Sequence, residues 1–179
     1  MIDRENIKIG DARMEDLSAI VEIYNATIPG RMVTADTKPV SVRSREKWFE
    51  EHTPGFRPLW AMEYEHEICG WLSFQSFYGR PAYNSTVEIS IYIAERFRRQ
   101  GLGHLFLQKA IEACPQLGIK TLLGFIFGHN EPSLRLFRKS GFRRWGRLPK
   151  VAELDGIERN LIIVGMTVSD SKQVGEAQD

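Results

Sequence analysis

Residues 86–104 read TVEISIYIAERFRRQGLGH, and they connect the clearest strand of the chain to a turn and a helix. Apolar and polar residues alternate from Thr86 to Ile93, which is the two-residue period of a half-buried strand. A basic segment with two glycines, Gly101 and Gly103, follows, and apolar residues at helical spacing begin at Leu102. The stretch therefore predicts a strand, a tight turn and a helix in immediate succession.

This turn has the properties of a diphosphate site. The first backbone N–H groups of a helix have no partner inside the helix, and the helix dipole adds partial positive charge there. Two glycines let a diphosphate approach closely, and Arg98 and Arg99 supply neutralising charge. The turn lacks the Gly-Lys-Ser/Thr ending of an NTP-binding loop and the third glycine of a dinucleotide fingerprint. Considered alone, the two glycines could also serve only to shape the turn.

Periodicity elsewhere predicts one domain over residues 1–170, followed by a polar, disordered tail over 171–179. Asn130 is a suitable N-cap and Gly141 a suitable C-terminal cap for the last helix. We predict helices over residues 14–26, from 44, from 102 and from 130, and strands over 7–9, 59–64, 68–75, 86–93 and 121–127 with a terminal hairpin over 151–168.

Composition excludes several classes of function. The net charge of +1 over 179 residues provides no field that would draw the protein to nucleic acid or to a membrane surface. No apolar run of about 18 residues could cross a bilayer, and the first residues lack a signal peptide, which predicts a cytoplasmic protein. Cys69 and Cys114 lie in apolar segments without ligand spacing, so we expect buried free thiols and no metal.

Two motifs stand in a fixed order along the chain: a strand, Arg98-x-x-Gly101-x-Gly103, a helix, a strand, and then Asn130-x-x-Ser133-x-x-x-Phe137-x-x-x-Gly141-Phe142. This order resembles the GNAT superfamily of N-acetyltransferases, over about residues 6–168. The resemblance implies an α/β (α+β) fold in a single GNAT-type domain. Its sheet would be mixed, mostly antiparallel and splayed near its middle, and about four helices would flank it.

The resemblance also implies that acetyl-CoA is the co-substrate. The strand end would pair its backbone with the pantetheine arm, and the turn would hold the diphosphate. The residues assigned to acetyl-CoA in this way are Ile91, Tyr92, Ile93, Arg98, Arg99, Gln100, Gly101, Leu102, Gly103, His104, Asn130 and Ser133.

Within the superfamily, the chain is similar to the branch that acetylates phosphinothricin, methionine sulfone and methionine sulfoximine. The string Ser85-Thr86-Val87-Glu88 stands where that branch has Tyr-Thr-Val-Glu, and Gly70-Trp71-Leu72-Ser73-Phe74 is similar to its preceding strand. An ammonium cannot attack a thioester, so the amine must lose a proton first. Glu88 is the candidate general base, provided that burial raises its pKa from the usual value near 4.

The chain departs from the pattern at two places. Many members of the superfamily have a tyrosine seven residues after the asparagine, to reprotonate the CoA thiolate, but this chain has Phe137. Tyr92, Tyr83 or water could donate the proton, or the thiolate could leave unaided. The arginine that binds the substrate carboxylate in the branch aligns with Tyr78, and Arg80 is the nearby substitute. The expected substrate-binding residues are Thr34, Tyr78, Arg80 and Tyr83.

The sequence thus predicts acetyl transfer from acetyl-CoA to the primary amine of a small amino-acid-like molecule, with no nucleic acid or membrane partner. The resemblance is also compatible with a homodimer. Two alternatives remain open at this stage. One is acetylation of a protein or peptide amine, and the other is a non-catalytic acyl-CoA sensor, which the missing tyrosine allows.

Overall fold

The computed structural model describes residues 2–168, and within them it shows seven strands and four α-helices. Short 3-10 turns precede several of these elements. In chain order, the strands and α-helices are β1 (Ile7–Asp11), α1 (Leu17–Asn25), α2 (Val42–Glu50), β2 (Leu59–Tyr64), β3 (Glu67–Ser76), β4 (Thr86–Ile93), α3 (Leu102–Ala113), β5 (Thr121–Phe127), α4 (Glu131–Lys139), β6 (Arg143–Leu154) and β7 (Ile157–Thr167).

The seven strands form one sheet in the order β1-β2-β3-β4-β5-β7-β6. The pairs β1–β2, β2–β3, β5–β7 and β6–β7 are antiparallel, whereas β4 and β5 run parallel. The parallel pairing joins Thr86–Glu88 to Thr121–Leu123 at the beginning of both strands. The predicted fold class, a mixed and mostly antiparallel sheet with four helices, is confirmed.

The described residues group into two compact units. The first contains the chain up to Phe74 together with Ser90–Phe106, and the second contains Gln75–Ile89 together with the residues from Leu107 onwards. The predicted tail over 171–179 lies outside the described residues, and the domain boundaries stay a prediction.

The core of the first unit is aromatic and aliphatic. Ile20 and Ile23 on α1 pack with Leu59 on β2 and Trp71 on β3. Trp48 and Phe49 of α2 pack against this cluster. Ser41 caps α2 by accepting a hydrogen bond from the N–H of Ser44, so the helix begins two residues before the predicted position.

The second unit is built around β5 and the terminal hairpin. Val87 and Ile89 on β4 are buried, and so are Leu122 on β5 and Met166 on β7. The hairpin turns through two left-handed residues, Asp155 (φ 51°) and Gly156 (φ 77°), which is the conformation that an Asp-Gly hairpin turn requires.

Two further sequence predictions need adjustment. The hairpin is longer than predicted, because the basic stretch 143–150 belongs to β6 and is exposed on it. The first helix is preceded by a 3-10 turn over Met14–Asp16 and becomes α-helical only at Leu17. Cys69 and Cys114 are buried free thiols, as predicted, and burial raises their pKa to about 11 and about 12, respectively. Among the described residues, no helix is long and apolar enough to span a bilayer.

In the first unit, β3 and the end of β4 lie close together at Gly70. A Cβ atom at this position would lie 2.6 Å from Cδ1 of Ile93 and 2.8 Å from the backbone oxygen of Tyr92. The side-chain atom can move, but the backbone oxygen belongs to β4 and cannot shift without disturbing the strand. Glycine is therefore required here for packing, not for a turn.

We expect Gly70→Ala to lower the free energy of unfolding by about 1–3 kcal/mol, the typical cost of overpacking. Gly10→Ala on β1 is the matched control, because nothing lies within 4 Å of a Cβ at that position. Urea denaturation of both variants measures the difference. Equal midpoints would show that β3 and β4 separate easily at this point.

Candidate active site

The turn after β4 has the tight backbone that its sequence predicts. After Ile93 the chain forms a 3-10 turn over Glu95–Phe97 and enters α3 at Leu102. Arg99 (φ 61°) and Gly101 (φ 82°) both adopt left-handed conformations, which suit glycine and are strained for arginine. The N–H of Leu105 donates to the oxygen of Gly101 at 3.1 Å, so the helix begins directly at the turn.

The cationic side chains at this turn are held in different ways. The Nε atom of Arg98 donates to the backbone oxygen of Ile93 at 2.9 Å, which orients this arginine along the end of β4. Arg96 forms an ion pair with Glu67 at the protein surface, so the carboxylate of Glu67 balances part of its positive charge. Arg98 and Arg99 are exposed, as is His104 in the first turn of α3.

An aromatic cluster lies beside the end of β4. The ring of Tyr92 stacks on Trp71, with centroids 4.2 Å apart, and it also contacts Tyr24 at 5.3 Å. Trp48 meets the other side of this group through an edge contact with Trp71 at 5.6 Å. The indole N–H of Trp71 donates to the backbone oxygen of Ile20 at 3.0 Å, which fixes the tryptophan ring. The cluster therefore gives Tyr92 a fixed orientation.

Thr34, predicted as a substrate residue, belongs to a hydrogen-bond network next to this cluster. The hydroxyl of Tyr24 bonds both Thr34 and Asp36, and Arg45 donates to Asp36 at 2.9 Å. The guanidinium of Arg45 lies over the ring of Tyr24, 5.1 Å from its centroid. Burial raises the pKa of Tyr24, and the hydrogen bond with Asp36 raises it further. Thr34 is only 7% exposed, and its assignment as a substrate-binding residue stays a prediction.

Sequence reasoning did not identify Asp36 or Arg45. Asp36 lies in a loop and Arg45 on α2, and the two meet only because that loop folds back on the helix. A charged pair of this kind leaves no periodic signal in the sequence.

Glu88 lies on β4 in the second unit. Val87 and Ile89 on either side of it are 0% and 2% exposed, so strand alternation places Glu88 on the opposite face. It pairs with Leu123 on β5 and is half-buried. Burial raises the pKa of the Glu88 carboxyl above its ordinary value, which is the shift that a general base requires.

The predicted substrate residues between β3 and β4 form an exposed aromatic group. Phe77 is its centre, and it contacts Tyr78 at 4.6 Å and Tyr83 at 5.5 Å between ring centroids. Tyr78 is 77% exposed and left-handed (φ 55°). Arg80 is exposed as well, and its backbone oxygen accepts from the N–H of Tyr83 at 2.9 Å. The structure thus brings Tyr78 and Tyr83 together on one loop.

Asn130 and Ser133 have a structural role at the start of α4. Asn130 is 5% exposed, and its Oδ1 atom accepts from the N–H of Ser133 at 3.3 Å, as predicted for an N-cap. Phe137 on the same helix is 3% exposed and packs edge-on against Phe142 at 4.9 Å. A Cβ at Gly124 would lie 2.9 Å from the Phe137 ring. Phe137 is therefore a tightly packed core residue.

Among residues 2–168, no group of three or more His, Cys, Asp or Glu side chains is arranged to hold a metal ion.

Comparison with known proteins identifies relatives across most of the chain. The model of the acetyltransferase (GNAT) family matches residues 18–142. A protein of Bacillus subtilis named "Putative phosphinothricin acetyltransferase YwnH" is 52% identical over 159 residues, which cover 88% of this chain and 97% of that protein. An L-methionine sulfoximine/L-methionine sulfone acetyltransferase of Pseudomonas paraeruginosa is 30% identical over 149 residues, which cover 83% of this chain and 87% of that protein.

A solved structure of a family member has the same fold as this chain. A GNAT superfamily phosphinothricin acetyltransferase from Sinorhizobium meliloti, in complex with AcCoA, superposes with a TM-score of 0.85 at 25% identity. The match covers 90% of this chain and 88% of that structure.

Burial of Glu88 has a consequence for stability that does not depend on any activity. Because its pKa is raised on folding, its contribution to stability is complete below the unfolded pKa, near 4.3, and is lost as the pH rises through the folded pKa. We expect Glu88→Gln to raise the melting temperature relative to wild type at pH 8 and to leave it nearly unchanged at pH 4. Thermal denaturation at both pH values measures this, with exposed Glu153→Gln as control. The same difference at both pH values would contradict it.

Proposed function

Because the chain belongs to the acetyltransferase (GNAT) family, it is an acetyl-CoA-dependent N-acetyltransferase, and we propose that its acceptor is the primary amine of a small amino-acid-like molecule. Similarity to enzymes named for phosphinothricin and for methionine sulfoximine or sulfone supports this acceptor class, because all three compounds are amino-acid analogues. The observation that carries the proposal is the half-buried, pKa-raised carboxylate of Glu88 on the strand that leads into the glycine turn.

We assign the donor to the end of β4 and to the turn that follows it. Ile91, Tyr92 and Ile93 would pair with the pantetheine arm, and the amides of residues 99–104 would hold the diphosphate. The left-handed backbone at Gly101 and the immediate start of α3 support this fit, because a side chain at Gly101 would disturb the turn. Arg98 would contribute charge from its position along the strand end. Asn130 and Ser133 would contact the arm from the cap of α4.

Glu88 is the proposed general base. It would accept a proton from the acceptor ammonium, directly or through one water, and the free amine would then attack the thioester carbon. Glu88 precedes Ile91 by three residues in the same strand, and the raised pKa brings its basicity closer to that of the group it must deprotonate. A backbone N–H of the Ile91–Ile93 segment would stabilise the oxyanion of the tetrahedral intermediate.

The departing thiolate needs little help. Phe137 cannot donate a proton, and its tight packing supports a purely structural role for this position. Tyr92, Tyr83 or a water molecule would then donate the proton. A CoA thiolate can also leave unaided, because a thiol has a pKa near 8.5.

The acceptor would be recognised by the aromatic loop between β3 and β4. Tyr78 occupies the position at which the branch has its carboxylate-binding arginine, so we assign that role to Arg80, two residues further along. Tyr78 and Tyr83 present exposed rings on the same loop. An arginine displaced by two residues would bind a differently shaped acceptor, and phosphinothricin itself would then be a poor one.

A screen of thiol release tests the acceptor class. The purified protein with acetyl-CoA would be offered methionine sulfone, methionine sulfoximine, phosphinothricin, common amino acids, polyamines and short peptides. We expect the highest kcat/KM among the amino-acid-like amines. Faster turnover of peptides would favour protein acetylation, and binding of acetyl-CoA without release of CoA for any amine would favour a sensor.

Substitution of the proposed base gives a separate prediction. We expect Glu88→Gln to lower kcat by about 10²- to 10⁴-fold at neutral pH, the usual contribution of a general base. In the wild type, kcat/KM should rise with pH through the raised pKa of Glu88, and this rise should vanish in the variant. Steady-state kinetics from pH 5 to 9 measure both effects, with Glu153→Gln as control. Unchanged turnover at neutral pH would exclude Glu88 as the base.

A further inference from the structure

We propose that Arg4, in the segment Ile2–Asn6 that precedes β1, is a binding residue for the diphosphate of acetyl-CoA. The proposal rests on the placement of acetyl-CoA at the turn before α3. It adds to that site a cation that lies nearly a hundred residues away in the sequence. The segment would thus form one wall of the donor site.

The contacts between this segment and the turn are specific. An ideal Cβ at Gly101 would lie 2.7 Å from the terminal nitrogen Nη2 of Arg4 and 3.8 Å from its Cζ. The head of the arginine side chain therefore lies directly against the glycine of the turn. The backbone N–H of Ile2 donates to Oε1 of Gln100 at 3.1 Å, one residue before that glycine. Two independent contacts thus join the segment to the same turn.

The sheet places the segment Ile2–Asn6 at the end of the strands where the turn lies. Ile7, the first residue of β1, pairs with Tyr64 at the end of β2, and Tyr64 pairs in turn with Glu67 at the start of β3. Near that point on β3, the oxygen of Cys69 accepts from the N–H of Ala94, just after β4 ends. The start of β1 and the end of β4 therefore lie at the same end of the sheet, where residues before Ile7 can reach the turn.

Local hydrogen bonds fix the direction of the segment. Arg4–Asn6 form a 3-10 turn, and the side chain of Asp3 caps it by accepting from the N–H of Glu5 at 3.1 Å. The amide of Asn6 also donates to Asp3, at 3.3 Å. From this short turn, the side chain of Arg4 reaches Gly101.

Electrostatics at the turn gives Arg4 a role beside that of the exposed Arg99. The charge of Arg96 is balanced by Glu67, and the Nε atom of Arg98 is committed to the oxygen of Ile93. Arg4 is exposed, so a ligand can reach it, and its planar guanidinium suits two phosphate oxygens at once. A doubly charged diphosphate held by the backbone amides would therefore gain a charge-assisted partner in Arg4.

Calorimetric titration with CoA and with 3′-dephospho-CoA tests the proposal. The variants are Arg4→Gln, Arg4→Lys and, as control, Arg43→Gln, which removes the same charge from an exposed site on α2. We expect Arg4→Gln to weaken both ligands equally, by about three- to tenfold, and to reduce the salt dependence of binding. Arg4→Lys should recover part of the affinity, and Arg43→Gln should bind like the wild type. Melting temperatures close to that of the wild type confirm that each variant is folded.

The possible outcomes separate this inference from the proposed function. If the wild-type protein gives no heat with CoA, the donor site itself is misplaced, and the role of Arg4 fails with it. If the wild type binds CoA and Arg4→Gln binds equally well, only the inference about Arg4 is wrong. A loss that appears with CoA but not with 3′-dephospho-CoA also overturns it, because Arg4 would then serve the 3′-phosphate.

Discussion

The close approach of β3 and β4 at Gly70 is the constraint on which the candidate donor site depends. A Cβ at this position would meet the backbone oxygen of Tyr92, so the two strands can lie this near only because residue 70 has no side chain. The hydrogen bond from Ala94 to Cys69 then holds the point at which β4 ends. Because the glycine turn begins there, the start of the turn is positioned by backbone contacts, which do not rely on flexible side chains.

Strand β4 carries both apolar core residues and a partly buried carboxylate. Its buried neighbours, Val87 and Ile89, stabilise the sheet, whereas Glu88 between them is held half-buried with a raised pKa. A carboxylate in such surroundings costs stability when it is charged. The left-handed Arg99 in the turn is a second example of local strain beside the proposed site. Both features are expected where function opposes stability.

Recognition of donor and acceptor rests on different kinds of structure. The proposed donor site is made of backbone at a strand end and a helix start, so its geometry follows from the fold. The proposed acceptor site consists of exposed side chains on the loop that carries Tyr78, Arg80 and Tyr83. Such loops vary without cost to the core, which explains why the donor of this family can be assigned with more detail than the acceptor.

The sequence by itself determined the elements with strong periodicity or clear end signals. We predicted the strand over Thr86–Ile93, the cap at Asn130 and a terminal hairpin, because alternation and capping are local properties. Family membership also followed from motif order. Only the tertiary structure decided that Thr34 bonds to Tyr24 and that Phe137 packs on Phe142. It also revealed the contacts of Asp36, Arg45 and Arg4. Their contacts join positions that are distant along the chain, and no local pattern records which distant residues meet when the sheet closes.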